Sequence, residues 1–270
     1  MTGAQNREDV GGWVTGSVAV LTLAFLLLPQ VILLVESFTA DSYLAFPPAR
    51  YGLRWYAFIL SDDDWLDALG RSLLVAAIVT PMTLLLGLTA AYALDRGPAR
   101  GRRIIFTLLI APMVLPHVVL GLAQFQVVFW GHMQDTVTAY VLAHVTIALP
   151  FAIITIGASL QVFDRRLEEA AQSLGAAPWR AAFHVLLPVI RPGLVAAAIF
   201  SFITSFDEFI ITYFLSTRRV TVPIQIFNSL SFQLDPSIAA ISGLMLMLTV
   251  GLTGFLMAGG QISSGTRIVR

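Results

Sequence analysis

"QVFDRRLEEAAQSLGAAPWRAAFHVLLPVIRP", residues 161–192, lies between two long apolar runs and carries more pattern than a plain connection. A join between adjacent helices needs only a few residues. Here Asp164 is placed to cap a short helix. Leu167, Ala170, Ala171 and Leu174 then recur at i, i+3, i+4 and i+7, which gives one apolar face. Gly175 falls where a helix end wants a left-handed residue, and Pro178 suits the first turn of a second helix. Trp179, Ala182, Phe183 and Leu186 continue at helical spacing, and Pro188 and Pro192 are expected to end it. The stretch reads as an amphipathic helix–glycine–helix unit. Such a unit either rests on lipid headgroups or seats in a groove of a soluble partner. The small residues Ala170, Ala171, Ala176 and Ala177 allow close approach to a protein surface.

The rest of the chain says what this unit is attached to. Of 270 residues, 57% are hydrophobic and 12% charged, with a net charge of +0. Soluble domains are about 45–50% apolar and about 25% charged, so the chain is read as a membrane protein, with no basic field to attract nucleic acid. Six runs approach the roughly 20 apolar residues that cross a bilayer: 13–35, 71–94, 104–130, 138–160, 193–215 and 237–260. The expected fold is therefore all-α, one domain over 1–270 with six transmembrane helices. Pro81, Pro112, Pro116 and Pro150 lie inside spans and imply kinks. His117 and His144 lie in spans three and four, where a packed, hydrogen-bonded histidine is the ordinary role. Trp55, Tyr56 and Trp65 fit an interfacial aromatic belt.

Arginine placement sets the expected orientation. With both termini cytoplasmic, the segments 1–12, 95–103, 161–192 and 261–270 hold eleven of the sixteen Arg. Arg50, Arg54, Arg218 and Arg219 lie outside and Arg71 at a boundary. The chain has no Lys and no Cys. Without Lys it cannot carry a G-x-x-x-x-G-K-[ST] phosphate loop, so ATP-driven work would need a partner's ATPase. Without Cys there are no thiolate metal sites or nucleophiles. No compact nucleophile–base or metal-ligand motif is present, so no catalytic residue is assigned.

The quoted loop resembles the EAA motif of permease subunits in ATP-binding-cassette (ABC) importers. That motif runs Glu-Ala-Ala, three residues, Gly, nine residues, Ile-x-Leu-Pro. Here it is Glu169-Ala170-Ala171, Gly175, then Val185, Leu187 and Pro188, with Val replacing Ile. "GLRWYAFI" (52–59), "LGLTAAYALDR" (86–96), "LPFAIITI" (149–156) and "FSFITSFDEFIITYFL" (200–215) resemble the second permease of spermidine/putrescine-type importers. The resemblance implies a type I importer permease fold in a bacterial inner membrane. It makes 161–192 the coupling loop that follows an ATPase subunit. It further implies a second permease, a non-identical sister in the polyamine-like case, and an external binding protein that delivers the solute. ATP and Mg²⁺ would sit on the ATPase, with no cofactor on this chain.

Span five raises a separate question, because Asp207 and Glu208 stand together inside it. On a continuous helical wheel, Ser201, Thr204, Ser205, Glu208 and Thr212 form one polar stripe. Asp207 lies about 100° away, directed toward a neighbouring helix or the cavity rim. Glu208 is the expected pathway-facing acid, about 22 Å from the inner end of the span at 1.5 Å per residue. Intramembrane acids normally face protein or water. Three roles stand open: a structural ion pair or solvated mouth, an attractor for a cationic amine, and a proton or ion site. The last would suit a secondary transporter or channel instead of an ABC importer. An ABC permease for an anionic or zwitterionic solute is the other alternative.

Overall fold

The computed structural model describes residues 2–98, 100–232 and 235–261. Among these residues the regular structure is helical, apart from one isolated antiparallel bridge between Thr39 and Tyr51. In chain order the helices are α1 (Thr2–Glu36), α2 (Arg54–Ile59), α3 (Asp63–Arg96), α4 (Arg102–Val114), α5 (His117–Trp130) and α6 (Val137–Val162). They continue as α7 (Arg166–Ser173), α8 (Pro178–Ala181), α9 (Leu187–Phe206), α10 (Ile210–Leu215), α11 (Val222–Phe232) and α12 (Ser237–Gln261). Five helical stretches are long and apolar enough to cross a membrane, six if the bent pair α4–α5 counts as one span. Arg267, Arg270 and the side chain of Arg7, which enter the orientation argument, lie outside the described residues.

The chain forms two compact units, one from the residues before Asp63 with 228–248, the other from 63–227 with the residues after Leu248. In the first, α1 exposes Val20, Leu21 and Phe25, as a lipid-facing helix does. The connection after α1 is tightly built. The Asp41 carboxylate accepts the N–H groups of Ala49 and Arg50 at 3.0 and 3.1 Å and the Arg50 Nε at 2.9 Å. The bond from the Arg50 guanidinium holds the Asp41 carboxyl below its ordinary range. Trp55 donates its indole N–H to the Asp41 carbonyl at 2.9 Å, and Tyr56 donates to Ser37 Oγ at 2.8 Å. These rings are fastened to the loop, so lipid-interface anchoring is at most part of their role.

In the second unit α3, α6 and α9 pack on one another. Val75, Val79, Ala148, Ala152, Ile156 and Ala197 are buried between them. Close approach rests on small residues, as is usual where lipid supplies no hydrophobic drive between helices. A Cβ on Gly87 would lie 2.7 Å from the Ala152 Cβ, and one on Gly193 would lie 1.9 Å from Ser159 Oγ. Trp65 is 3% exposed and packs inside this unit, so it is not part of an aromatic belt.

The helix pattern departs from the sequence expectation in three places. Span three is two helices, α4 and α5, bent by 103°. Leu115 precedes Pro116, which biases it toward extended backbone; it sits at φ −77°, ψ 139° and breaks the helix. Second, Pro188 and Pro192 do not end the loop's second helix. It runs on as one helix from Pro178 to Phe206, through a π turn at Ala182–Leu186. There the Leu187 N–H reaches back five residues to the Ala182 carbonyl, so the register has already shifted where Pro188 lacks a donor. Third, span five stops at Phe206 and resumes at Ile210.

At the end of the unit where α5 joins α6, Asp135 ties two connections together. Its carboxylate accepts N–H groups of Thr217, Arg218 and Arg219 at 2.8, 3.1 and 3.2 Å, and the Thr217 hydroxyl. Burial pulls its carboxyl upward, but these donors outweigh it and hold it at about 2, against an ordinary 3.8. The bound value is the lower one, so this clamp is complete above the ordinary value and is lost only as pH falls through about 2. Amide protection at Thr217–Arg219, measured by hydrogen exchange, is expected to be constant from neutral to mildly acidic pH and to drop in D135A. A bulkier Gly87 tests the helix contact: G87L is expected to lower the thermal midpoint in detergent, at a cost of about 1–3 kcal/mol.

Candidate functional site

The break in span five opens onto a cavity of about 640 Å³ bordered by α4, α5, α6 and α9. Met113, His117, Ile147, Phe151, Ile203, Thr204, Asp207, Glu208 and Phe209 all reach it. Two helices are interrupted at this level, α4–α5 at Leu115–Pro116 and α9–α10 at Asp207–Phe209. Interrupted helices at membrane depth are tolerated where the backbone is enclosed by protein or lines a water-filled cavity.

Both acids border the cavity, as the pathway-facing and rim positions of the wheel allowed, but their exposure is the reverse of what it implied. Asp207 is exposed and faces the cavity, and Glu208 is 6% exposed. The wheel fails because it assumes one helix through residue 208; the α9 helix ends at Phe206, with Asp207 at φ −97°, ψ 3°. Glu208 serves the next helix instead. Its Oε1 accepts the Ile211 N–H at 2.8 Å, one of the donors that a new helix leaves free. Its Oε2 lies 3.6 Å from His117 Nδ1, at the start of α5.

The predicted polar stripe faces protein. Ser201, Ser205 and Thr212 are buried, and of its hydroxyl residues only Thr204, half-buried, borders the cavity. His144 of α6 accounts for two of them: Nδ1 is 2.9 Å from Ser205 Oγ and Nε2 is 2.8 Å from Thr212 Oγ1. The Thr212 hydroxyl donates to the Glu208 carbonyl at 3.2 Å. The ring tautomer consistent with that bond is Nε2–H, donating to Thr212, with Nδ1 accepting from Ser205. One imidazole thus bridges both sides of the helix break.

The loop of residues 161–192 folds as two helical pieces around Gly175. Asp164 Oδ1 accepts the Arg166 N–H at 3.0 Å. Gly175 has φ +92°, and the next N–H, that of Ala176, bonds back to the Ala171 carbonyl at 3.0 Å, closing the helix end. Pro178 begins α8. Glu169 and Ala170 are exposed, Ala171, Val185 and Leu187 are half-buried, and Pro188 is exposed. Leu167, Leu174, Trp179 and Phe183 all remain exposed, Leu174 at 90%. The acid that packs inward is Glu168, paired with Arg96 at the end of α3. Beside it Arg165 reaches Asp95 through Oδ1 at 2.9 Å and through the backbone carbonyl at 3.0 Å. Arg165 therefore pairs with Asp95.

Residues 83–259 match the family model of the binding-protein-dependent transport system inner membrane component. The chain belongs to this family. It is a permease subunit of an ABC importer in the inner membrane, a transport subunit and not an enzyme. The putrescine transport system permease protein PotI of Escherichia coli K12 is 33% identical over 248 residues, 88% of this chain and 87% of that protein. The spermidine/putrescine permease PotC of the same strain is 26% identical, covering 89% and 91%. In fold, the chain matches a chain of a bacterial ABC transporter involved in alginate import, with TM-score 0.70 at 14% identity over 98% of this chain and all of that one. The methionine ABC transporter MetNI gives TM-score 0.56 at 20% identity, covering 78% and 98%. The all-α architecture is the type I importer permease fold.

Sequence reasoning missed the partners that position these groups: His117 beside Glu208, His144 across the break, and Asp95 and Arg96 against the loop. All pair residues distant in sequence. The one local signal was the Pro112/Pro116 pair, which marked the bend that delivers His117. Replacing His144 by Leu is expected to leave two buried hydroxyls short of a partner, at about 1–3 kcal/mol each. A fall in thermal midpoint, with faster proteolysis near residues 205–212, is the readout.

Proposed function

We propose that this permease carries a polyamine or related cationic amine, with Asp207 as the ammonium ligand. The exposed carboxylate of Asp207 in the cavity at the helix break carries this reading. Glu208 is occupied by the Ile211 N–H and His117, so Asp207 holds the charge available to a solute. The C-terminal ends of α4 and α9 border the same space, and helix C-termini favour cations. Ile147, Ile203 and Met113 offer an apolar wall to methylene chains, and Phe151 and Phe209 offer ring faces to ammonium groups. The relatives that transport putrescine and spermidine support the same class.

In this reading an external binding protein delivers the amine to the outer mouth, and a sister permease completes the pathway. An ATPase subunit holding ATP and Mg²⁺ docks on the loop of residues 161–192 at the cytoplasmic face, where both termini also lie. The exposed Leu174, Trp179 and Phe183 supply the apolar contact, and Glu169, Ala170, Ala171, Gly175, Val185, Leu187 and Pro188 shape it.

Putrescine uptake into proteoliposomes or cells distinguishes the acids. D207N is expected to lower uptake at least tenfold with normal assembly, whereas E208Q lowers the thermal midpoint as well as uptake. Normal uptake by D207N would overturn the assignment. For the loop, G175V forces a β-branched residue into the left-handed region, at a cost of roughly 1–2 kcal/mol. It is expected to release the ATPase on purification while the membrane bundle stays folded; undiminished co-purification would count against the docking role.

A further inference from the structure

A second cavity, of about 380 Å³, lies between α3, α4 and α6 at the end of the bundle that carries the loop of residues 161–192. Its size falls in the range of ligand pockets. It is distinct from the cavity at Asp207. On α6 its lining residues Ile153, Gly157 and Gln161 lie roughly 80–160° around the helix from Phe151, which faces the other cavity.

Its chemistry is divided. Leu94, Phe106 and Ile153 give it an apolar wall, with Ile153 buried and Phe106 exposed. The rim carries Arg102 and Arg103, which open α4, and the amide of Gln161. Both arginines are exposed, and among the described residues neither makes an ion pair. The acid on the rim, Asp95, is already matched by Arg165 at 2.9 Å and Arg96 at 3.3 Å, so it does not neutralise them. From the rim the exposed apolar face of α4, with Ile104, Ile105 and Leu108, continues outward.

We propose that this cavity is a binding site for an anionic phospholipid. The phosphate sits between Arg102 and Arg103, which supply forked donors suited to its oxygens, and one acyl chain lies along Leu94, Phe106 and Ile153. Two features select a lipid over a soluble phosphate. The chain resides in a membrane, and the charged rim is continuous with an apolar slot and an apolar helix face. Basic pockets between transmembrane helices recognise anionic headgroups by this combination. The headgroup would stand beside the ion pairs that fasten the loop of residues 161–192 to α3.

Gly157 allows a test that leaves the charges alone. A Cβ there meets no atom within 4 Å, so α6 has open space at this position of the cavity lining for a larger residue. The membrane-extracted protein, with its co-purifying subunits, is exchanged into nanodiscs of phosphatidylcholine containing a minority of phosphatidylglycerol. Bound lipid is then counted by native mass spectrometry. Wild type is expected to enrich phosphatidylglycerol over its bulk fraction, and inorganic phosphate should not displace it. R102Q/R103Q is expected to lower that enrichment roughly tenfold, and G157L to lower it with both arginines present. Equal phosphatidylglycerol retention by wild type and both variants would overturn the site. Loss in the arginine variant with full retention in G157L would overturn the acyl slot, leaving only surface charge. Displacement by phosphate would overturn the lipid assignment. Thermal midpoints separate these outcomes from misfolding, since neither variant removes a contact described within the bundle.

Discussion

The geometry of the break in span five depends on one imidazole. His144 reaches from α6 to Ser205 on one side of a helix break and to Thr212 on the other. An interrupted helix in a bilayer leaves backbone groups that water cannot satisfy. His144 fixes the two ends, and Glu208 supplies an acceptor to the new helix. With Glu208 turned inward for that purpose, Asp207 is left facing the cavity. The exposed acid is thus a consequence of how the break is closed.

This also explains what the sequence disclosed and what it did not. The loop around Gly175 was readable because its signals are local: an Asp164 whose carboxylate takes the Arg166 N–H, a left-handed glycine, a proline at a first turn. The long apolar runs were readable because a bilayer imposes a length. The break at residues 207–209 was not, because no proline or glycine marks it; partners from α5 and α6 hold it. A wheel drawn through an assumed continuous helix therefore misjudged which of Asp207 and Glu208 is the more exposed. Pro116 did mark the bend between α4 and α5, but a proline inside an apolar run is equally compatible with a mild kink. Only the extended Leu115 makes it a sharp corner.

The loop of residues 161–192 is fastened by charge where the rest of the bundle is fastened by close packing. Glycines at 87 and 193 bring the helices together, whereas Arg165–Asp95 and Arg96–Glu168 tether α7 to the end of α3. Paired side chains can exchange partners without repacking a core, so this is the natural place for the unit to tolerate movement. The exposed apolar residues of the loop lie just beyond it.

The continuous helix from Pro178 to Phe206 carries a further consequence. Its 29 residues span about 43 Å, with the exposed Trp179 near one end and the residue adjoining Asp207 at the other. There is no joint between them, only a π turn that sets their relative phase. Each residue inserted or deleted along this rod would rotate one end by about 100° against the other. The angular register between the outer surface of the loop and the acid in the cavity is therefore fixed by chain length together with the π turn.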